Sequence, residues 1–188
     1  MKKFLFALIL IALPLVGNAQ EHMKFMGIPI DGSASQFEQK LVTQKGMTKI
    51  REHMYNGRYF GIDDCHICLA VINNIVRNIG VFFPVASDWR ALSSRYEELK
   101  ENLTAKYGNP YKVVEYFDSS FADDDYSKFS EVKRDACHFC TSWSTSVGEV
   151  KLEIVNNKAD YTSYPQIYLS YLDYENYFKA EAAKSDDL

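Results

Sequence analysis

The sequence predicts an α+β protein with a mostly antiparallel sheet and helices packed on one face of that sheet. Helical patterns are twice followed by a series of short strand patterns, an order that indicates two α-then-β units. The chain also contains 13 Tyr and 12 Phe residues, a share of aromatic rings that suits a β-rich core. The stretch from Gln20 to Leu188 is long enough for a single globular domain.

Residues 1–19 have the features of an export signal. Two lysines follow Met1, residues 4–16 form an apolar run, and small residues at 17–19 provide a cleavage site before Gln20. The apolar run is shorter than the roughly 18 to 20 residues that cross a bilayer. We therefore expect a periplasmic or secreted protein that begins at Gln20 and does not insert into a membrane after cleavage.

The first half of the chain is predicted to contain a strand, a helix and a hairpin. His22–Ile30 is the opening strand, and in the helix that follows Ser35 and Glu38 have the spacing of a capping box. Gly46 lies where a helix ends in a left-handed residue. Asn56-Gly57 predicts a type I′ turn that joins two strands of a hairpin.

The rest of the chain begins with a turn predicted at Asn73-Asn74 and a buried strand over Ile75–Phe83. The longest helix is predicted over Asp88–Tyr107, with Asp88 as its N-cap. Its apolar stripe comprises Trp89, Leu92, Tyr96, Leu99 and Leu103. The remaining elements are predicted as a strand at Tyr111–Phe117, a short helix carrying Phe129 and Val132, strands near Cys137–Thr145, Glu149–Val155 and Gln166–Leu172, and a final helix over Tyr174–Ala183.

Three of these segments carry a resemblance to known proteins. They are Phe25–Gly32 (FMGIPIDG), Lys106–Pro110 (KYGNP) and Tyr171–Asp173 (YLD). Together they resemble a group of uncharacterised exported proteins of Bacteroidetes, and the layout of helices and strands is also similar to the β-lactamase-inhibitor-protein and SmpA-type folds. The resemblance implies an exported α+β protein. It assigns no catalytic or binding residue.

All four cysteines lie in two matching tetrapeptides, Cys65–Cys68 (CHIC) and Cys137–Cys140 (CHFC). An exported chain with an even number of cysteines favours structural disulfides. On a strand, residues i and i+3 lie about 10 Å apart and cannot be bridged. We therefore expect the tetrapeptides on adjacent strands, joined by disulfides between them. The pairing is Cys65–Cys140 with Cys68–Cys137 for antiparallel strands, and Cys65–Cys137 with Cys68–Cys140 for parallel ones.

Two alternatives use the same thiols. Two C-x-x-C pairs are also typical of a four-cysteine zinc site, with Cys65, Cys68, Cys137 and Cys140 as the ligands. A C-x-x-C at the start of a helix, here capped by Asp64, is typical of thiol oxidoreductases. The disulfide interpretation is favoured because strand alternation would point half of the zinc ligands away, and because the segment after Cys65 is rich in β-branched residues.

The sequence favours an exported, non-catalytic binding module. It contains no Ser-His-Asp set, no G-x-S-x-G elbow and no glycine-rich phosphate loop, so we expect no cofactor. The net charge of −4 argues against nucleic acid, which leaves a protein or a glycan as the expected partner. Candidate binding residues are Tyr164, Tyr168 and Tyr171, in the densest run of tyrosines. The alternatives are a thiol-redox or metal-handling protein that uses the cysteines, and an enzyme of another class.

Overall fold

The computed structural model describes residues 21–159 and 162–185 of the chain. The predicted export signal at residues 1–19 and its cleavage site lie outside these ranges. In the described ranges the chain forms four helices and ten strands, eight of which build one large antiparallel sheet, so the α+β class is confirmed. None of the helices in this part of the chain is long and apolar enough to cross a membrane.

The elements follow one another in two series. The strands are β1 (Lys24–Phe25), β2 (Ile28–Pro29), β3 (Thr48–Arg51), β4 (Met54–Tyr59), β5 (Ile62–Ile72), β6 (Ile75–Phe82), β7 (Lys112–Phe117), β8 (Cys137–Ser144), β9 (Gly148–Ala159) and β10 (Thr162–Asp173). The helices are α1 (Ala34–Lys45), α2 (Trp89–Tyr107), α3 (Asp125–Lys133) and α4 (Tyr174–Ser185).

The large sheet consists of two similar halves. Its strand order is β3-β4-β5-β6-β10-β9-β8-β7, so two meanders of four strands meet where β6 pairs with β10. Helix α1 precedes the first meander and α2 precedes the second, while α3 lies between β7 and β8. The two α-then-β units expected from the sequence are therefore present.

One apolar core lies between the sheet and the helices α1, α2 and α3. The core contains Phe37 of α1, Tyr96 of α2 and Val132 of α3, together with the buried side chains of the central strands. The strands contribute alternate residues, such as Ile67 and Ile79, because successive side chains point to opposite faces. Alternation leaves the other half of the strand residues on the face away from this core.

Helix α2 follows the sequence prediction closely. Its five stripe residues are all buried, and Asp88 is the N-cap, with its Oδ1 accepting a hydrogen bond of 2.8 Å from Ala91 N–H. The first helix begins two residues earlier than its predicted cap implied. Ser33 and Gln36 form the capping box instead of Ser35 and Glu38, and Gly46 ends the helix in the left-handed region as predicted.

Two predictions about the first strands are wrong. The opening segment is a hairpin rather than one strand, because Met26 and Gly27 have φ values of 52° and 80° and form a turn between β1 and β2. Asn56-Gly57 lies inside β4 rather than in a turn. A Cβ on Gly57 would lie 2.2 Å from Met47 Sδ, so this glycine is required by packing and not by a turn. The predicted turn at Asn73-Asn74 is confirmed.

Candidate binding face

The two cysteine tetrapeptides lie on strands that do not touch. Cys65–Cys68 belongs to β5 and Cys137–Cys140 belongs to β8. The sheet order places β6, β10 and β9 between them. At about 4.8 Å per strand, β5 and β8 are separated by about 19 Å. All four cysteines are free thiols.

The expectation of adjacent strands is therefore wrong, and disulfides between the tetrapeptides of one chain do not fit the fold. A disulfide needs a Cα separation of roughly 4.4 to 6.8 Å, far below the distance between β5 and β8. A shared zinc site fails for the same reason, because one ion holds its sulfur ligands at about 2.3 Å. The described residues contain no group of three or more His, Cys, Asp and Glu side chains that could hold a metal.

Within the first tetrapeptide, the strand directs the two thiols to opposite faces of the sheet, as alternation predicts. Cys65 is buried on the core side, whereas Cys68 is half-buried on the other side. Burial raises the pKa of Cys65 to about 11 and that of Cys137 to about 12. A redox-active C-x-x-C has a lowered thiol pKa at the start of a helix. The strand geometry and the raised pKa values both argue against redox chemistry.

The histidines of the tetrapeptides have different surroundings. His66 is exposed on β5. The Nε2 atom of His138 lies 2.9 Å from Asp118 Oδ1, and the His138 ring stacks on Tyr116 with the ring centroids 4.7 Å apart. Tyr116 faces His138 in the register of β7 and β8. The two rings form a flat, accessible pair near one edge of the sheet.

We call the face of the sheet opposite the core the open face. It carries the side chains that alternate with the core residues, and cross-strand pairing aligns them in rows. One row includes Asn56, His66, Phe82, Tyr168, Glu153, Cys140 and Val114. The neighbouring row consists of Met54, Cys68, Gly80, Ser170, Lys151, Ser142 and Lys112.

Tyr168 occupies the middle of the open face. A Cβ on Gly80 would come within 2.7 Å of Tyr168 Cε2, so the tyrosine ring fills the space above this glycine. Phe82 packs beside the same ring, with the centroids 4.7 Å apart and the planes inclined by 35°. Burial raises the pKa of the Tyr168 hydroxyl, and the nearby Glu153 and Cys68 raise it further. The hydroxyl is therefore neutral and keeps its proton for hydrogen bonding.

Charged groups lie beside these aromatic rings. Lys151 Nζ and Glu153 Oε1 form an ion pair of 2.8 Å on β9. They line a depression of about 250 Å³ together with Tyr116, His138 and Cys140. This volume is below the roughly 300 to 1,000 Å³ of small-molecule sites. Burial and the Glu153 carboxylate raise the pKa of Cys140, so its thiol is not activated as a nucleophile.

The candidate tyrosines are divided between the two faces. Tyr164 is exposed and Tyr168 is half-buried, and both point to the open face because they are four residues apart on β10. Tyr171 lies in the core with 1 % of its surface exposed, and its hydroxyl hydrogen-bonds to that of Tyr59 at 2.5 Å. Tyr171 is therefore excluded as a binding residue, since a separation of three residues places it opposite Tyr168.

The sequence interpretation missed two aromatic residues of the open face, Phe82 and Tyr116. Phe82 stood next to Phe83 at the end of a strand predicted to be buried throughout. Only Phe83 is buried, with 1 % of its surface exposed, while Phe82 faces the other side. Applying strict alternation to β6 and β7 would have identified both residues.

Comparisons of the chain with models of protein families, with curated proteins and with solved structures found no match.

Proposed function

We propose that this protein is an exported, non-catalytic binding module that holds a protein partner against its open face. The observation that carries the proposal is the central position of Tyr168, Phe82 and Gly80 on a face that the α1–α3 core leaves uncovered. Half-buried aromatic rings surrounded by charged and polar side chains are the composition of a protein-binding hot spot. Export is supported by the signal-like composition of residues 1–19.

The dimensions of the open face favour a macromolecule over a small ligand. The seven spacings between its eight strands, at about 4.8 Å each, give a width of about 34 Å. An interface of standard size buries about 800 Å² on each partner, an area that a face of this width can supply. The small depression beside Lys151 makes this surface uneven but is not large enough to enclose a ligand.

The chemistry of the same face disfavours the other classes. A catalytic cleft gathers a nucleophile, a base and an acid with suitably shifted pKa values. On the open face, burial raises the pKa of the Cys68 and Cys140 thiols away from neutrality, whereas a nucleophilic thiol needs a lowered pKa. A thiol-redox function would need those thiols paired within bonding distance, and the strand order separates them.

A glycan is the second candidate partner, because sugars stack on aromatic rings. Tyr116 is 53 % exposed and lies flat on His138, an arrangement that suits stacking of a sugar ring. The protein partner is favoured since the Tyr168 ring is packed against Gly80 and Phe82 and presents only part of its surface.

Site-specific photo-cross-linking in the producing cells tests the proposal. A photoreactive residue replaces His66 or Tyr116 on the open face, or Glu98 or Glu101 on the exposed side of α2 as matched controls. We expect the same protein adduct from both open-face positions and none from the two positions on α2. Equal adducts from all four positions, or no adduct from the open face, would contradict the proposal.

The partner identified in this way is then purified and titrated against variants. Tyr168→Ala and Phe82→Ala should each weaken binding at least tenfold, as expected for hot-spot residues, while Glu101→Ala should leave the dissociation constant unchanged. Circular dichroism establishes that each variant is folded. Displacement of the partner by a soluble oligosaccharide, or unchanged affinity of both aromatic variants, would reject the protein-binding face in favour of a glycan or another surface.

A further inference from the structure

A second cavity lies away from the rows that form the open face. Its volume is about 490 Å³, within the range of roughly 300 to 1,000 Å³ that is typical of small-molecule sites. Three parts of the chain form it, namely the N-terminal hairpin with Lys24, the end of α2 with Lys106 and Tyr107, and the turn between β8 and β9 with Thr145 and Val147.

His22 lines this cavity and is held from behind by the buried Asp173. Asp173 is fully buried and accepts hydrogen bonds from Met23 N–H at 2.7 Å and Asn176 N–H at 2.8 Å. Its two oxygens also lie 3.2 Å from Nδ1 of His22. Three donors therefore compensate the burial of this carboxylate.

Two lysines give the cavity unpaired positive charge. Neither Lys24 nor Lys106 has a carboxylate within ion-pair distance in the described part of the chain, and Lys106 Nζ lies 4.8 Å above the ring of Tyr107. The Asp31 carboxylate at the cavity wall is already paired with Lys40 at 3.2 Å. These two ammonium groups can therefore pair with an anionic group of a ligand.

We propose that this cavity binds a small organic carboxylate. The carboxylate group is held by the ammonium groups of Lys24 and Lys106. The apolar part of the ligand packs against Met23, Val147 and the ring of Tyr107. Glu21 also lines the cavity and repels negative charge on a ligand. This repulsion is stronger for phosphate than for a monovalent carboxylate, because phosphate carries more negative charge. The site is independent of the open face and of the function proposed for it.

A titration followed by NMR tests this site on the purified exported chain. The probe is 4-phenylbutyrate, and the comparison ligands are the neutral 4-phenylbutanol and inorganic phosphate. We expect 4-phenylbutyrate to shift the signals of the His22 ring and of the Val147 methyl groups in a saturable manner. The neutral alcohol should bind at least about tenfold more weakly, which corresponds to about 1.4 kcal/mol, and phosphate should cause no saturable shift.

Lysine variants identify the side chains that bind the carboxylate group. Lys24→Met and Lys106→Met should each weaken 4-phenylbutyrate binding about tenfold, while Lys128→Met on α3 removes the same charge elsewhere and should have no effect. All three lysines are at least partly exposed, so the variants are expected to fold. No saturable binding to the unmodified chain, equal affinity for the alcohol, or equal effects of all three substitutions would overturn the proposal. Saturable phosphate binding would overturn its restriction to carboxylates.

Discussion

Gly80 is the residue on which the shape of the open face depends most. Without a side chain at this position, the Tyr168 ring lies directly over β6 and beside Phe82. In an unobstructed strand, alanine would be more favourable than glycine by roughly 0.5 to 1 kcal/mol. The close approach of the ring reverses this preference, so the identity of residue 80 is fixed by residue 168.

A double-mutant cycle tests the contact between these two residues. Gly80→Ala should lower the free energy of unfolding by about 1 to 3 kcal/mol, the usual cost of overpacking. In the Tyr168→Ala background the same substitution should be neutral or stabilising, because the ring is gone. Urea unfolding of the four proteins gives the coupling energy. Equal effects of Gly80→Ala in both backgrounds would show that the ring does not lie over the glycine.

The buried thiol of Cys65 makes stability depend on alkaline pH. Burial raises its pKa to about 11, above the value of about 8.5 expected in the unfolded chain. The folded state therefore keeps a proton that the unfolded state loses, so the stabilisation is complete below about pH 8.5 and declines as pH rises toward about 11. We expect the free energy of unfolding to fall less steeply over this interval in Cys65→Ala than in the parent.

Urea unfolding in the presence of a reductant, repeated across this pH interval, measures how steeply the free energy of unfolding falls with pH in the parent and in Cys65→Ala. Cys68→Ala is the comparison variant: the pKa of the half-buried Cys68 is also raised, and we expect its removal to change the slope less than the removal of Cys65 does. Identical slopes for the parent and Cys65→Ala would mean that Cys65 is not in an apolar environment.

At the scale of single elements, the ends of α1 show which local sequence signals are sufficient to predict a helix boundary. Gly46 is predictable because this kind of helix end favours a residue that tolerates positive φ, and the φ of Gly46 is 66°. The predicted N-cap, Ser35, lies two residues after the observed one, Ser33. The segment Ser33-Ala34-Ser35-Gln36 contains two serines with suitable partners three residues on, and the packing of Ala34, which is 1 % exposed, selects the first.

Two serine variants distinguish these caps. Ser33→Ala should lower the free energy of unfolding by about 1 kcal/mol, the usual value of an N-cap, because Gln36 N–H loses its acceptor at 3.3 Å. Ser35→Ala should have less than half of this effect, since Ser35 lies in the first turn and is exposed. Thermal or urea unfolding of both variants shows which substitution is more destabilising. The reverse order would place the cap at Ser35.

The hairpins show where local signals were insufficient. Asn56-Gly57 has the composition of a type I′ turn, yet β4 continues through it and pairs with both β3 and β5. The turns on either side are made by other residues with positive φ, His53 and the pair Phe60-Gly61. The Met47 side chain occupies the space that a Cβ on residue 57 would need, which explains why residue 57 is glycine. Met47 reaches this position only after α1 has packed on the sheet.

At the scale of the whole molecule, the repeat of a helix and four strands explains why the tetrapeptides are not partners. CHIC lies on the third strand of the first meander, whereas CHFC lies on the second strand of the second meander. The similarity of the two motifs is therefore not a consequence of the repeat. The sequence predicted the strands themselves, but strand order depends on long-range pairing, which a local pattern does not encode.

The same sheet order explains the placement of the proposed binding surface. Because β6 and β10 join the two meanders, Phe82 and Tyr168 come from different halves and meet at the centre of the open face. The edge strands β3 and β7 lie at opposite ends, far from these rings. A binding surface at the junction of two halves requires both of them to be folded, which links binding to the integrity of the whole sheet.

Labelling of the thiols in the native protein tests most directly the division of the sheet into a core side and an open face. After brief treatment of the folded, reduced chain with iodoacetamide, peptide mapping by mass spectrometry should find modification at Cys68 and Cys140. Cys65, which is fully buried on the core side and whose pKa is raised to about 11, should react only after unfolding. Equal modification of Cys65 and Cys68, or a disulfide that joins CHIC to CHFC within one chain, would contradict the account.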